Sequence, residues 1–183
     1  MTATAFIIEG LDRLGKGTLI ENIQQECGFR MYYHYEKPKK LNAYFKSSSN
    51  FLENYQQASF EVGFQTLASC IPVIFDRFHL GETVYSSRYR NYSGDYVFEL
   101  EEKYGADEMS HVKMILLTTS NFDFIVDDGL SFDFSKKEEE QKDFISAFKK
   151  SIFPNKIIID VHDGNGNFKD PKKILGEALH REF

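Results

Sequence analysis

A glycine-rich segment near the amino terminus carries the residue types of a phosphate-binding loop. The run Gly10–Thr18, GLDRLGKGT, has the spacing G-x-x-x-x-G-K-[ST] if one extra residue is allowed between the lysine and the threonine. Its glycines allow backbone conformations that direct successive N–H groups at phosphate oxygens. Lys16 is placed to reach the β- and γ-phosphates of ATP, and Thr18 is placed to hold Mg²⁺. The predicted phosphate-binding residues are Gly10, Gly15, Lys16, Gly17 and Thr18.

The segments on either side of the loop fit this reading. The apolar run Ala5–Ile8 is typical of a buried parallel strand, and a helix should follow from Lys16 to Cys27 and close at Gly28. The amino terminus of that helix adds its dipole to the attraction for phosphate. A glycine-rich turn without a ligand is the alternative, but it would not explain the placed lysine and threonine.

Strands and helices alternate along the rest of the chain, which predicts an α/β fold of the P-loop NTPase type. We expect a five-stranded parallel sheet with helices on both faces. The predicted strands are Ala5–Ile8, Met31–Tyr35, Ile71–Phe75, Val112–Leu117 and Lys156–Asp160. The predicted helices are Lys16–Cys27, Asn50–Ser69, Gly81–Tyr89, Tyr96–Tyr104, Asp143–Ser151 and Pro171–Arg181. On the helix at 50–69, the apolar positions near helical spacing are Phe51, Tyr55, Ala58, Val62 and Leu67.

Size and composition favour one compact domain over residues 1–183. Of the 183 residues, 42% are hydrophobic and 27% are charged, as is usual for a globular protein. A net charge of −6 argues against an extended nucleic-acid surface, and no apolar run is long enough to cross a membrane. The segment Met1–Ala5 lacks the features of a signal peptide, so we expect a cytoplasmic protein with Cys27 and Cys70 reduced.

The polar segment Thr118–Gln141 is too long for a simple connection. It is either a mobile lid over the site or a solvated loop, and its composition alone favours the loop.

Two motifs together resemble those of thymidylate kinases. Glu9–Thr18 resembles their loop E-G-x-D-R-x-G-K-[ST]-T, and Asp76-Arg77-Phe78 resembles their D-R-[YFH] motif. The segment Asp76–Tyr89 is also similar to versions in phage nucleotide kinases. The resemblance implies an Mg²⁺- and ATP-dependent kinase that converts a deoxynucleoside monophosphate, dTMP or a modified dUMP, to the diphosphate. It also implies a lid at about 118–141, a possible homodimer and, for a phage-encoded enzyme, the host cytoplasm.

The resemblance implies roles for four residues around the acceptor. Arg77 matches the arginine that binds the acceptor phosphate, and a guanidinium fork suits that group. Asp76 matches the aspartate near the metal and the transferred phosphoryl group. Asp12 matches the aspartate that contacts the acceptor sugar, and Tyr85 the aromatic residue beside the deoxyribose or base.

The resemblance also implies contacts to the two bases. The acceptor base would stack on Phe51 or Tyr55, and the sequence does not choose between them. Gln56 lies near the place of the base-reading arginine of the family, and its amide could read a base edge, although it could equally be an exposed helix residue. By analogy of fold alone, Asp160–Asn167 would lie beside the adenine of ATP.

The chain departs from the family pattern after the second predicted strand. The family has R-E-P there, and its arginine also binds the acceptor phosphate. Here Glu36 occupies the arginine position, although Pro38 aligns. Lys37 or Lys39 could substitute as a point charge.

The source of the catalytic cation is a second departure. No arginine occurs between Arg90 and Arg181, so the segment 118–141 offers only Lys136 and Lys137, which we expect to be solvated. Arg13 stands where some members of the family carry a basic residue inside the phosphate loop. It is therefore predicted to neutralise charge on the transferred phosphoryl group, as an arginine finger in cis. The predicted catalytic residues are Lys16, Arg13, Asp76 and Arg77, with Thr18 and Asp76 at the metal.

Two alternatives remain at this point. A kinase for a free nucleoside, or for a base in DNA, would share the fold, and Glu36 lies near the place of the carboxylate base that such nucleoside kinases use. A nucleotide-binding module without catalysis is the other, and it would bind ATP without turnover.

Overall fold

A five-stranded parallel sheet forms the centre of the protein. The computed structural model describes residues 3–29, 31–35, 49–123, 125 and 133–181. The strands are β1 Ala5–Gly10, β2 Met31–His34, β3 Val73–Asp76, β4 Val112–Thr118 and β5 Lys156–Asp160. They lie in the order β2-β3-β1-β4-β5, and all neighbouring pairs are parallel. The predicted fold class is confirmed, and all five predicted strands are present.

Six helices belong to the described part of the chain. They are α1 Lys16–Cys27, α2 Ser49–Ala68, α3 Leu80–Tyr89, α4 Tyr96–Tyr104, α5 Lys137–Lys150 and α6 Pro171–Leu179. Local signals set several ends: Gly28 closes α1 in a left-handed conformation, and the Asp170 side chain accepts a hydrogen bond from the Lys172 N–H at the start of α6. None of the described helices is both long and apolar enough to cross a membrane.

Both faces of the sheet are covered. Every residue of β1 and β4 is buried, which requires packing on both sides of these central strands. α1 packs with α6, while α3 packs with α4 and α5. The predicted arrangement of helices on both faces is therefore confirmed.

Of the five apolar positions noted on α2 from the sequence, Leu67 alone is fully buried. Tyr55, Ala58 and Val62 are exposed. The buried positions are Gln56, Phe60, Gly63, Phe64 and Leu67. The ring of Phe78 explains the choice, because it lies 5.6 Å from the Phe60 ring and 5.0 Å from the Phe64 ring. The same face of α2 also packs on α4, where the Phe64 ring lies 5.6 Å from the Tyr104 ring.

The segment between β4 and α5 differs from the prediction at its carboxyl end. A short 3₁₀ helix, Phe134–Lys136, leads directly into α5, which begins six residues before the predicted start. The two ends of the segment are joined, because the Thr119 N–H donates to the Gln141 side chain and the Gln141 amide donates to the Thr119 carbonyl, each at 2.8 Å. Residues 124 and 126–132 lie outside the described part of the chain, so the lid assignment stays a prediction.

Candidate active site

The phosphate loop connects β1 to α1 through left-handed backbone. Gly10, Arg13 and Gly15 have φ values of 128°, 69° and 79°. A side chain at Gly10 would collide with the backbone carbonyl of Leu117 in β4, so only glycine allows this close packing. Gly17 and Thr18 are exposed in the first turn of α1. The loop therefore has the backbone form that the glycine pattern predicts.

The ammonium group of Lys16 lies inside the loop. Its Nζ donates to the carbonyl oxygens of Gly10 at 2.9 Å and Leu11 at 2.6 Å, and it lies 3.7 Å from Asp12 Oδ1. Burial, and next the positive charge of Arg77, lower the pKa of Lys16 to about 8. The protein therefore holds a partly desolvated cation where a nucleotide phosphate would approach.

Arg77 meets the phosphate loop across the sheet. Because β1 pairs with β3, the chain after Asp76 turns back over the loop, and the Arg77 N–H donates to the Ile8 carbonyl at 2.9 Å. Arg77 adopts a left-handed φ of 61°, and its Nη2 donates to Asp12 Oδ1. Two predicted acceptor residues, Asp12 and Arg77, are thus in direct contact beside Lys16.

Asp12 is surrounded by positive charge. Burial acts to raise its pKa, but the charges of Lys16, Arg77 and Lys137, in that order, outweigh burial and lower it. Three cations from three different elements therefore act on one carboxylate.

The expectation from the sequence that Lys137 is solvated was wrong. Instead of being solvated, its side chain is 6% exposed and its Nζ donates to Glu140 Oε2 at 2.9 Å. Glu140 is buried and also accepts a hydrogen bond from the Tyr89 hydroxyl at 2.5 Å. Helix α5 begins at Lys137 and packs on α3, which draws the ammonium inward. Lys136, by contrast, is exposed and lies 3.5 Å from Asp133.

Glu9 is a site residue that the list from the sequence left out. Its carboxylate is fully buried, and Oε1 accepts the N–H groups of Phe78 and Leu80, both at 3.0 Å. This fixes the turn after Arg77 to the end of β1. Burial raises the pKa of Glu9, and its Oε2 has no hydrogen-bond partner in the described part of the chain. The glutamate of the E-G-x-D segment was the available signal.

Asp76 is held by two residues of the neighbouring strand. Its Oδ2 accepts a hydrogen bond from the Tyr32 hydroxyl at 2.8 Å and lies 2.6 Å from His34 Nδ1. Tyr32 and His34 were not predicted, although their alternation in β2 places both on one side of the strand. Asp76 Oδ1 is buried without a hydrogen-bond partner among the described residues. One carboxylate oxygen is thus left over, which suits the metal role predicted for Asp76 with Thr18.

Tyr85 lies within the same group of residues. Its ring packs against those of Phe144 and Tyr89, with centroids 5.7 and 6.2 Å away. Burial, and next the negative charges of Asp12 and Glu140, raise the pKa of its hydroxyl. The structure therefore brings Tyr85 close to the Asp12–Arg77 pair.

A largely apolar cavity of about 330 Å³ adjoins the phosphate loop on its other side. It is lined by residues of the loop, α1 and α6, among them Arg13, Thr18, Phe168, Pro171 and Ile174. The segment Asp160–Asn167 is not among the lining residues. Residues 163–167 form a turn in which the N–H groups of Asn165 and Asn167 both donate to Asp163 Oδ1. Arg13 therefore faces this cavity, which adjoins Thr18.

The remaining predicted residues are placed as follows. On α2, Tyr55 is 47% exposed and its ring lies 6.5 Å from that of Phe51. Gln56 is 5% exposed, so it is not the exposed helix residue that one alternative described. Lys37 and Glu36 lie outside the described residues. No group of three or more His, Cys, Asp or Glu in the described part of the chain could hold a metal ion.

Comparison with known proteins identifies the fold. No protein-family model and no curated protein sequence matches the chain. Among solved structures, it resembles the YorR protein of Bacillus subtilis, in complex with phosphorylated GDP, with a TM-score of 0.65 and 16% identity over 93% of each chain. It also resembles the thymidylate kinase of Candida albicans, with a TM-score of 0.56 and 14% identity over 98% of this chain and 90% of that one.

A third neighbour is the deoxyadenosine kinase of M. mycoides, with a TM-score of 0.53 and 17% identity over 93% of this chain and 94% of that one. These similarities extend over nearly the whole chain. The protein therefore has the fold of the P-loop nucleoside and nucleotide kinases.

Proposed function

We propose that the protein transfers the γ-phosphoryl group of ATP to a deoxynucleoside monophosphate and releases ADP and the diphosphate. One observation carries the proposal: Lys16 of the phosphate loop, and the Arg77–Asp12 pair, meet at the carboxyl ends of β1 and β3. A cation for the donor phosphates and a guanidinium fork for the acceptor phosphate are thus side by side.

The loop and its lysine would bind the donor. The Lys16 ammonium group, which now donates to the Gly10 and Leu11 carbonyl oxygens, could donate to phosphate oxygens instead without leaving the loop. The cavity lined by Phe168 and Ile174 would take the base of ATP, since it is apolar and adjoins the loop. Mg²⁺, held through Thr18 and Asp76, would neutralise charge on the β- and γ-phosphates.

The Arg77 guanidinium would bind the acceptor phosphate. Because its fork has several N–H groups, it can keep its bond to Asp12 while others turn to a phosphate. Glu9 would keep Arg77 in place through the turn it holds. Lys137, buried near Asp12, would add a cation as charge develops on the transferred phosphoryl group. Arg13 faces the cavity on the other side of the loop, so its proposed action on the same group requires its side chain to turn from that cavity toward the phosphates.

The acceptor is proposed to be dTMP or a modified dUMP. The support is the likeness of Glu9–Thr18 and Asp76–Phe78 to thymidylate kinase motifs, together with the position of Tyr85 beside Asp12. Gln56 and one of Phe51 and Tyr55 would contact the base.

A panel of ATP-consumption assays tests the proposal. The purified protein would be offered every deoxynucleoside monophosphate, the free nucleosides and short DNA, with Lys16→Ala as the control. We expect turnover with one or a few monophosphates, reduced at least about a hundredfold in the variant, because a preorganised cation at the phosphates contributes several kcal/mol to the transition state. Turnover of nucleosides instead would favour the nucleoside-kinase alternative, and ATP binding without any turnover would favour the binding module.

A further inference from the structure

A second cavity lies at the amino ends of the strands, whereas the phosphate loop lies at their carboxyl ends. It has a volume of about 110 Å³ and is lined by Phe6, Cys27, Lys113, Asn155, His180 and Arg181, among others. Phe6 and Lys113 are register partners on β1 and β4, and the Met114 N–H donates to the Asn155 carbonyl at 2.9 Å. These residues come from the amino ends of the strands and the carboxyl ends of α1 and α6. The cavity is therefore separate from the proposed active site.

Lys113 is the unusual residue of this cavity. It is 4% exposed, yet it makes no hydrogen bond or ion pair with any described residue. Burial lowers the pKa of its ammonium group, and no carboxylate of the described residues opposes that shift. The side chain is therefore buried along most of its length, while its ammonium is not among the fully buried polar atoms that lack a partner and opens onto the cavity that Lys113 lines.

The other charges around the cavity do not satisfy Lys113. Arg181 is half exposed, and its Nη1 donates to Glu26 Oε1 at 3.0 Å, so that acid is already paired. The carboxyl ends of α1 and α6 bring partial negative charge. Backbone N–H groups already cap carbonyls at both ends, from Gly28 to Gln24 and from Arg181 to Gly176, each at 2.9 Å. Among the described residues around the cavity, the charges of Lys113 and Arg181 exceed that of Glu26 by one positive charge.

We propose that this cavity binds a small oxyanion of phosphate size, held by Lys113, Arg181 and the side-chain amide of Asn155. The cavity has a volume of about 110 Å³, which holds several water molecules and is large enough for a phosphate group. Inorganic phosphate and a phosphate monoester share this chemistry. The site does not depend on the proposed kinase activity.

Thermal unfolding with increasing inorganic phosphate, at constant ionic strength and against chloride, tests the site. Because the phosphate loop can also bind phosphate, two single variants separate the two sites. Lys16→Ala should keep part of the phosphate-dependent rise in Tm, whereas Lys113→Met should keep only the part due to the loop. At the second cavity, loss of the charge-assisted hydrogen bond should weaken phosphate binding by about ten- to a hundredfold. Comparing each variant with and without phosphate removes any effect of the substitution on stability itself.

A local measurement supplements this one. Cys27 lines the cavity, so in a Cys70→Ser background phosphate should slow the labelling of Cys27 by a thiol reagent, and Lys113→Met should abolish that protection. Methyl phosphate and acetate in place of phosphate distinguish a monoester and a carboxylate as ligands. The proposal is overturned if phosphate stabilises Lys113→Met as much as the parent, or if all stabilisation disappears in Lys16→Ala. It is equally overturned if phosphate leaves the labelling of Cys27 unchanged.

Discussion

Lys137 offers the sharpest test of the site. Its Nζ lies 2.9 Å from Glu140 Oε2, and their side chains are 6% and 1% exposed. At an effective dielectric constant of about 20, the gross attraction at this distance is about 6 kcal/mol, much of which offsets desolvation. Lys137→Met alone leaves Glu140 buried without its cation. We expect that to cost about 3–5 kcal/mol, or a fall of roughly 10 °C in Tm.

The double variant Lys137→Met/Glu140→Gln separates stability from catalysis. It removes both charges, and the amide introduced by Glu140→Gln can still accept the hydrogen bond from the Tyr89 hydroxyl, so that hydroxyl keeps its partner. We expect most of the lost stability to return. Turnover should stay low by about a hundredfold, since the cation near Asp12 is still missing.

Steady-state kinetics and thermal unfolding of four proteins decide the matter: the parent, the single variant, the double variant and Lys136→Met. Lys136 is exposed and weakly paired, so its replacement should change kcat less than about threefold. A double variant that unfolds like the parent and has a kcat within about threefold of the parent would refute the catalytic role of Lys137.

The remaining predictions concern Arg77, Arg13 and Lys16. Arg77→Ala should raise the acceptor KM far more than the ATP KM, because the guanidinium contacts the acceptor phosphate in both ground and transition states; equal rises would count against this placement. Arg13→Ala should lower kcat strongly while ATP affinity stays within a few fold, and Arg13→Lys should recover only part of the loss; an unchanged kcat removes Arg13 from the catalytic residues. ATP binding should raise the lowered pKa of Lys16, which is about 8, back towards its usual value near 10.4. Calorimetry in buffers of different ionisation enthalpy should then detect more proton uptake in the parent than in Lys16→Ala at about pH 9, and no such difference at about pH 6.

The pH dependence of stability follows from the same group. Since the folded pKa of Lys16 lies below its unfolded value, the unfolded chain binds more protons between about pH 8 and 10.4. The contribution of Lys16 to the free energy of unfolding should therefore rise with pH in this window. Denaturant unfolding of the parent and of Lys16→Ala at about pH 7.5 and 9.5 measures it, and an equal change in both proteins would contradict the assignment.

Local sequence signals were sufficient for most of the fold. The continuous apolar run before Gly10 predicted β1, and Gly28 marked the end of α1. Pro171 marked the start of α6. These signals act through the backbone of a few neighbouring residues, so they can be read without knowing what packs against them. The alternation of strands and helices then restricts the topology to a parallel sheet.

Only the tertiary structure decided which faces are buried and which charges meet. The apolar residues of α2 are spread around the helix, so the ring of Phe78 selected the buried face and left Tyr55 exposed. Likewise, Lys137 reads as a surface lysine in a polar segment, and it is buried because α5 packs on α3. The sequence alone determined that a phosphate loop follows β1, since its glycines and lysine act locally. The convergence of Lys16, Arg77 and Lys137 on Asp12 joins residues up to 125 positions apart, and only the folded chain brings them together.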